Sequence, residues 1–178
     1  STLMRSSAAS DVYKRQDPQY IGAMGESAGG YLTCMAALDD DPALDTGAYL
    51  EYSSQIQAAC PWYPPTDASS FHYDDPEQAA AAAESLLMGF NVMRNVKEAE
   101  DNSPVSKVTK DAPPFLIIHG TDDHTVPFEQ SEILYEKLTK NGCDVKFIEL
   151  EGADHADMQF FQDELWNRII EFFDEKLK

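Results

Sequence analysis

Ser27 lies in Gly25-Glu26-Ser27-Ala28-Gly29-Gly30, with a glycine two residues to either side. The preceding run, Tyr20-Ile21-Gly22-Ala23-Met24, reads as a short strand, and Tyr31 to Leu38 reads as a helix. A serine on a sharp strand-to-helix turn is placed as a nucleophile. Side chains at positions 25 and 29 would collide with neighbouring backbone in so tight a turn, and glycine avoids the clash. The helix N-terminus lets the N–H of Ala28 point at a developing oxyanion. The competing reading is a Gly-rich turn with an incidental serine, and the downstream residues weigh against it.

A serine nucleophile needs a base, and the base needs an orienting carboxylate. The histidines are His72, His119, His124 and His155. His155 falls in a loop between the last strand and the last helix. That loop belongs at the C-terminal edge of the sheet, where the serine turn also opens. Asp122 and Asp123 follow the preceding strand, and on spacing either can orient the base. His119, at a strand end, suits a structural role in holding the acid loop, and His124 suits solvent. His72 lies in a segment of different character and suits the surface. Trp62, Tyr63 and Asp67 follow a core strand, where aromatic packing is the default role.

The elements that must position these groups alternate. Residues 55–62 (QIQAACPW) read as a buried strand, 115–119 as a short, almost wholly apolar strand of the kind found in a parallel sheet covered on both faces, and 145–150 as another strand. Helices are expected over 127–140, ended by Asn141-Gly142, and from Asp157 or Met158 to the end. A short helix is expected around 44–52. The fold class is therefore α/β, a mostly parallel sheet flanked by helices. Residues 71–102 break the alternation. Asp75-Pro76 can open a helix, the alanine-rich 78–84 favours one, and Gly89 can end it. The segment reads as a small cap-like insertion.

The 178-residue length fits one domain, and the formal net charge of −19 excludes nucleic acid and anionic membranes as natural partners. No apolar run is long enough to span a bilayer. Cys34, Cys60 and Cys143 are too widely spaced for a zinc site or a disulfide framework, and free buried thiols point weakly to a reducing, cytoplasmic setting. No metal or cofactor is called for. Residues 1–16 are Ser-rich and aperiodic without the apolar stretch of a signal peptide, so they read as a non-native or disordered tail.

From residue 17 to the C-terminus the chain resembles an α/β-hydrolase serine esterase of the bacterial feruloyl-esterase-like, acetyl-esterase and carboxylesterase branch. GESAGG resembles the hormone-sensitive-lipase-like and carboxylesterase nucleophile turn. Prolyl-oligopeptidase relatives carry a bulky tyrosine where Ala28 stands. PPFLIIHGTDDHTVP resembles the acid-loop pattern His-Gly-x-x-Asp-x-x-Val-Pro. Against that pattern Asp123 is the acid, and His155 matches the base. The order Ser27, Asp123, His155 is that of the family.

The resemblance implies hydrolysis of small acyl or hydroxycinnamoyl esters without metal or cofactor, with a small-molecule partner and an oligomeric state left open. A serine aminopeptidase or acylpeptide hydrolase, and a non-catalytic hydrolase-like binding protein, are the alternatives. The family's His-Gly-Gly-type oxyanion loop and early strands have no counterpart before Tyr20, so the chain is expected to be the C-terminal part of such a hydrolase. Strand 20–24 would then lie at an edge, and residues 1–178 alone would tend to aggregate and be nearly inactive.

Overall fold

The computed structural model describes residues 17, 19–44, 46–48, 50 and 53–178. The expected N-terminal tail lies outside the described residues. Four parallel strands, β1 (Gly22–Glu26), β2 (Ala58–Trp62), β3 (Phe115–Gly120) and β4 (Val145–Leu150), pair in chain order. Glu26 stands beside Trp62, Trp62 beside Ile118, and His119 beside Glu149. The strand ends are thereby aligned, and the loops that follow them open on one edge.

Every residue of β2 and β3 is buried, which explains their unbroken apolar runs. One face of the sheet packs Ala59, Phe115 and Ile117 against Cys34 and Leu38 of α1 (Ala28–Leu38) and against Leu134 and Leu138 of α5 (Glu129–Lys140). The other packs Ala58, Cys60, Leu116, Ile118 and Ile148 against Leu165, Ile169 and Phe172 of α6 (Asp163–Lys176). This is the two-sided cover a parallel sheet requires. β1 alternates between exposed and half-buried residues, as the outer strand of the described sheet.

Between β2 and β3 run α2 (Pro76–Ala81), α3 (Ala83–Met88) and α4 (Val96–Asp101). They gather around a separate small cluster of Ala68, Val92 and Ala99, flanked by Tyr73, Met88 and Phe90. Asp75 caps α2 by accepting from the N–H groups of Glu77 and Gln78. The alanine run does not form one helix. Ala82 is extended (φ −70°, ψ 152°), and the chain restarts in α3, which ends at left-handed Gly89. Long-range ties outweigh alanine's helix propensity: Tyr73 Oη donates to Glu84 at 2.5 Å, and Asn91 Nδ2 donates to the Pro76 carbonyl at 2.6 Å.

Other boundaries also differ from the sequence expectation. β1 runs two residues further, to Glu26, and α1 begins at Ala28, so Ser27 alone makes the turn. β2 is shorter than 55–62. The expected helix over 44–52 lies partly outside the described residues. Residues 46–48 and 50 are not helical, and a 3-10 turn forms earlier, at Pro42–Leu44. The last helix is preceded by a 3-10 turn, Met158–Phe161, because Phe160 turns inward onto Trp62 and Tyr63.

Ile117, fully buried on β3, and Leu86, 71% exposed on α3, make a contrast. Ile117→Ala is expected to lower the unfolding free energy by about 2–5 kcal/mol in a denaturant melt. Leu86→Ala is expected to change it by under about 0.5 kcal/mol. Equal losses would contradict a core centred on β2 and β3.

Candidate active site

Ser27 adopts φ 52°, ψ −117°, a strained conformation for a residue with a side chain. It stands at the N-cap of α1, yet its hydroxyl caps nothing. Its N–H donates to the Trp62 carbonyl at 3.0 Å, and its carbonyl accepts from Tyr31. The turn is held by backbone, and the side chain is left free to face outward. The N–H groups of the first helical turn have no intrahelical acceptor, so that of Ala28 is available beside the Ser27 hydroxyl.

The glycines divide differently from the sequence expectation. A Cβ on Gly25 would fall on the Gly29 carbonyl, so Gly25 is required. A Cβ on Gly29 would meet nothing, because Gly29 contributes its backbone rather than a missing side chain. The second steric requirement falls on Gly30, where a Cβ would lie 2.7 Å from the Trp62 carbonyl and 3.1 Å from the Pro64 Cβ. The signal for Gly30 was the doubled glycine of GESAGG.

Ser27, His155 and Asp123, three groups far apart in sequence, meet at this edge. Ser27 Oγ lies 3.1 Å from His155 Nε2, and His155 Nδ1 lies 2.7 Å from Asp123 Oδ2. The carboxylate sets the tautomer. Nδ1 carries the proton and donates it to Asp123, which leaves the Nε2 lone pair to accept from the serine hydroxyl. Such a chain can withdraw a proton from Ser27 as its oxygen attacks an electrophilic carbonyl.

Asp123 is enclosed, with no exposed side-chain surface. Its Oδ1 accepts from the N–H groups of Thr125 and Val126, both at 2.8 Å. Its Oδ2 accepts from His155 and, at 3.2 Å, from His119 Nε2. Burial acts against the charge, but the bonds from His119, His155, Val126 and Thr125 outweigh it, and the pKa is lowered to about 2. Asp122, the other candidate, is exposed, and its N–H donates to Ala153.

His119 is wholly buried. Its Nε2 faces two acceptors, the Val126 carbonyl at 3.0 Å and Asp123, while Nδ1 lies 2.7 Å from Ser131 Oγ. It locks the acid loop to α5. His124 is exposed and pairs with Asp154 at 3.4 Å, and His72 is exposed. Burial pushes the Cys60 thiol up to about 12 and raises Cys34 and Cys143 as well, which suppresses their thiolates. Among the described residues no cluster of three or more His, Cys, Asp or Glu could hold a metal ion, and no helix is long and apolar enough to cross a membrane.

Sequence reasoning assigned Tyr63 to aromatic packing, and its place is more particular. Three described non-glycine residues have positive φ: Ser27 (52°), Tyr63 (34°) and Ala156 (57°). All three adjoin the Ser27–His155 pair, and such conformations cost about 1–3 kcal/mol each. The Tyr63 ring lies against His155, with centroids 4.4 Å apart, and its hydroxyl donates to Glu26 Oε2 at 2.6 Å. Position immediately after an apolar strand was the only sequence signal.

A parallel sheet with Ser27 after β1, Asp123 after β3 and His155 after β4 is the α/β-hydrolase arrangement. The chain belongs to the BD-FAE family, whose model matches residues 7–138. It is similar to the Mycobacterium tuberculosis protein named Esterase LipQ, with 35% identity over 145 residues, 79% of this chain and 33% of that protein. The chain spans about a third of the length of the curated relatives it matches. A solved structure described as a truncated form of a carbohydrate esterase from gut microbiota superposes with a TM-score of 0.86 at 26% identity. It covers 98% of this chain and 65% of that one. The butyrate-bound esterase Est2 of Thermogutta terrifontis superposes with a TM-score of 0.71 at 27% identity, covering 97% of this chain and 61% of that one.

The Asp123 carboxyl links pH to stability. Its folded pKa, about 2, lies below the ordinary carboxylate value of 3.8. The group therefore stabilises the fold above pH 3.8, and that contribution is lost as pH falls towards 2. The size is about 2 kcal/mol. Melting between pH 4 and 2 is expected to fall more steeply in the parent than in Asp123→Asn, and parallel slopes would contradict it.

Proposed function

We propose that the protein is a serine carboxylic-ester hydrolase that acts on small acyl esters, hydroxycinnamoyl esters among them. The observation that carries this reading is the continuous hydrogen-bonded chain Ser27–His155–Asp123 at the mouth of a strand-to-helix turn. Ser27 Oγ attacks the ester carbonyl as His155 Nε2 takes its proton. Asp123 holds the Nδ1 proton in place and stabilises the imidazolium that forms. The N–H of Ala28 donates to the tetrahedral oxyanion, a contact of the kind worth about 3–4 kcal/mol in the transition state. His155 then protonates the leaving alcohol, and water, activated by the same imidazole, cleaves the acyl-enzyme. The steps need no metal or cofactor.

Several findings support a small acyl ester as substrate. A Mycobacterium tuberculosis relative named Probable carboxylic ester hydrolase LipM is 32% identical over 142 residues, and a structural neighbour holds butyrate. Segment 71–102 would serve as a cap over the acyl group. In support, Tyr31 of the first α1 turn, Pro65, Leu87, Met88 and Pro104 line a shallow apolar cleft between the serine helix and that segment.

A fluorophosphonate probe is expected to label the chain covalently and to fail with Ser27→Ala. Para-nitrophenyl acetate is expected to be turned over in preference to aminoacyl anilides, and the reverse preference would favour a peptidase. Asp123→Asn is expected to cut kcat by about 10⁴-fold, because the imidazole would then take the wrong tautomer. Asp122→Asn should stay within a few-fold of the parent. A larger loss from Asp122→Asn would move the acid role to that residue.

A further inference from the structure

Tyr63 occupies a position that packing alone does not require. It is fully buried, yet it leaves β2 with a positive φ of 34°. Its N–H donates to the Ile118 carbonyl at 2.7 Å, which fixes the backbone across the β2–β3 boundary. The preceding carbonyl, that of Trp62, accepts the N–H of Ser27. One dipeptide thus anchors the backbone of the nucleophile and presents a ring to the base.

The ring is held on three sides. Phe160 meets it edge-on with centroids 4.7 Å apart and planes at 87°, and His119 lies 6.3 Å away. His155 lies 4.4 Å away with planes at 56°. The hydroxyl points the other way and donates to Glu26, the last residue of β1 and the neighbour of Ser27. Burial raises the Tyr63 pKa, and the bond to Glu26, the Glu26 charge and the Asp123 charge raise it further. The phenol therefore stays protonated and donates a charge-assisted bond. Electron density pushed from a carboxylate onto a phenol strengthens the negative face that attracts a cation within about 6 Å.

We propose that Tyr63, held by Glu26, is a positioning residue for His155. Its ring keeps the imidazole in the rotamer that spans Asp123 and Ser27, and its link to Glu26 favours the imidazolium formed when Ser27 gives up its proton. No bond is made or broken at Tyr63. The proposal rests on the esterase reading for its catalytic meaning, but the coupling itself exists in the resting protein.

Other groups also bear on His155. Asp123 faces Nδ1, and Ser27 faces Nε2. Asp154 Oδ1 accepts the His155 backbone N–H at 2.7 Å, while His124 pairs with Asp154 and Asp157 accepts the Asp154 N–H. His119 shares with His155 both the Asp123 carboxylate and the Tyr63 ring. The variants tested leave all of these in place.

The experiment is an NMR titration of the His155 imidazole in the full chain. The variants are Glu26→Gln, which keeps an acceptor but removes the charge, Tyr63→Phe, which keeps the ring, and Tyr63→Leu, which removes it. Asp174→Asn removes an equal charge from the last turn of α6, where Asp174 is exposed and pairs with Lys178 at 3.0 Å, and serves as the control. Glu26→Gln and Tyr63→Phe are expected to lower the His155 midpoint by about half a pH unit, with no shift in the control. Tyr63→Leu should lower it further and slow fluorophosphonate labelling of Ser27 by about 10-fold or more. Tyr63→Phe should recover most of that labelling rate. Should Tyr63→Leu fail to fold, the Glu26→Gln midpoint decides alone. An unmoved midpoint in Glu26→Gln, or a control shift of equal size, would overturn the proposal. A parent chain that resists the probe would refute the esterase reading while leaving the midpoint comparison intact.

Discussion

A carboxylate with no exposed surface has to be kept charged, and the loop after β3 is built around that requirement. Isolated burial would neutralise Asp123. Donors on both of its oxygens reverse the balance: two backbone N–H groups on Oδ1 and two imidazoles on Oδ2. The backbone donors exist only if residues 123–126 curl tightly. The curl in turn places the Val126 carbonyl on His119, and His119 reaches Ser131 at the start of α5. The orientation of His155 is thus tied to the register of β3 and to the entry of the following helix. A loose acid loop would lose both the charge and the imidazole orientation.

The sheet supplies the second constraint. Parallel strands in matching register end at the same level, so loops distant in sequence become neighbours. Tight turns are then needed to aim three side chains at one point, and the positive φ values at Ser27, Tyr63 and Ala156 are the local cost of that aim. The cost is borne by the buried strands β2 and β3, whose side chains pack on both faces. Strain at the site and density in the core are therefore two sides of one design.

What the sequence made legible follows from how locally each feature is encoded. The apolar run at 115–119 announces a strand covered on both faces, and the alternation of Val145, Phe147 and Ile148 with Lys146 and Glu149 announces a strand covered less completely. GESAGG and HGTDD announce tight turns because few residue types tolerate them. Asp123 could be separated from Asp122 by likeness to a family pattern but not by spacing, since the choice depends on which carboxylate the 123–126 curl turns inward. Boundaries were less legible where tertiary contacts decide them. Nothing local in the alanine run foretells the break at Ala82, which answers to the ties from Tyr73 and Asn91. Nothing near Phe160 foretells that it would turn onto Tyr63 and delay the last helix. Tyr63 itself was hidden for the same reason, because its partners Glu26 and His155 lie 37 and 92 residues away.

The acid and base loops are also joined by bonds that involve neither reacting atom. The N–H groups of Asp122 and Thr121 donate to the carbonyls of Ala153 and Leu150, and Thr121 Oγ1 accepts from Gly152. Asp154 Oδ1 accepts from the backbone N–H groups of both His124 and His155. Asp154 is exposed, so its ion pair with His124 adds little energy, but its two backbone bonds fix the spacing of the loops. The Ser27 turn is fixed in the same way, by its N–H on Trp62. Each of the three groups is therefore delivered by backbone before it makes any bond to the next. That is the physical content of preorganisation: the orienting entropy of the three side chains is spent in folding. The 3.1 Å contact between His155 and Ser27 joins two loops that, among the described residues, have no backbone bond between them. Tyr63 and Glu26 span that gap, since one side chain touches His155 and the other ends the strand that precedes Ser27.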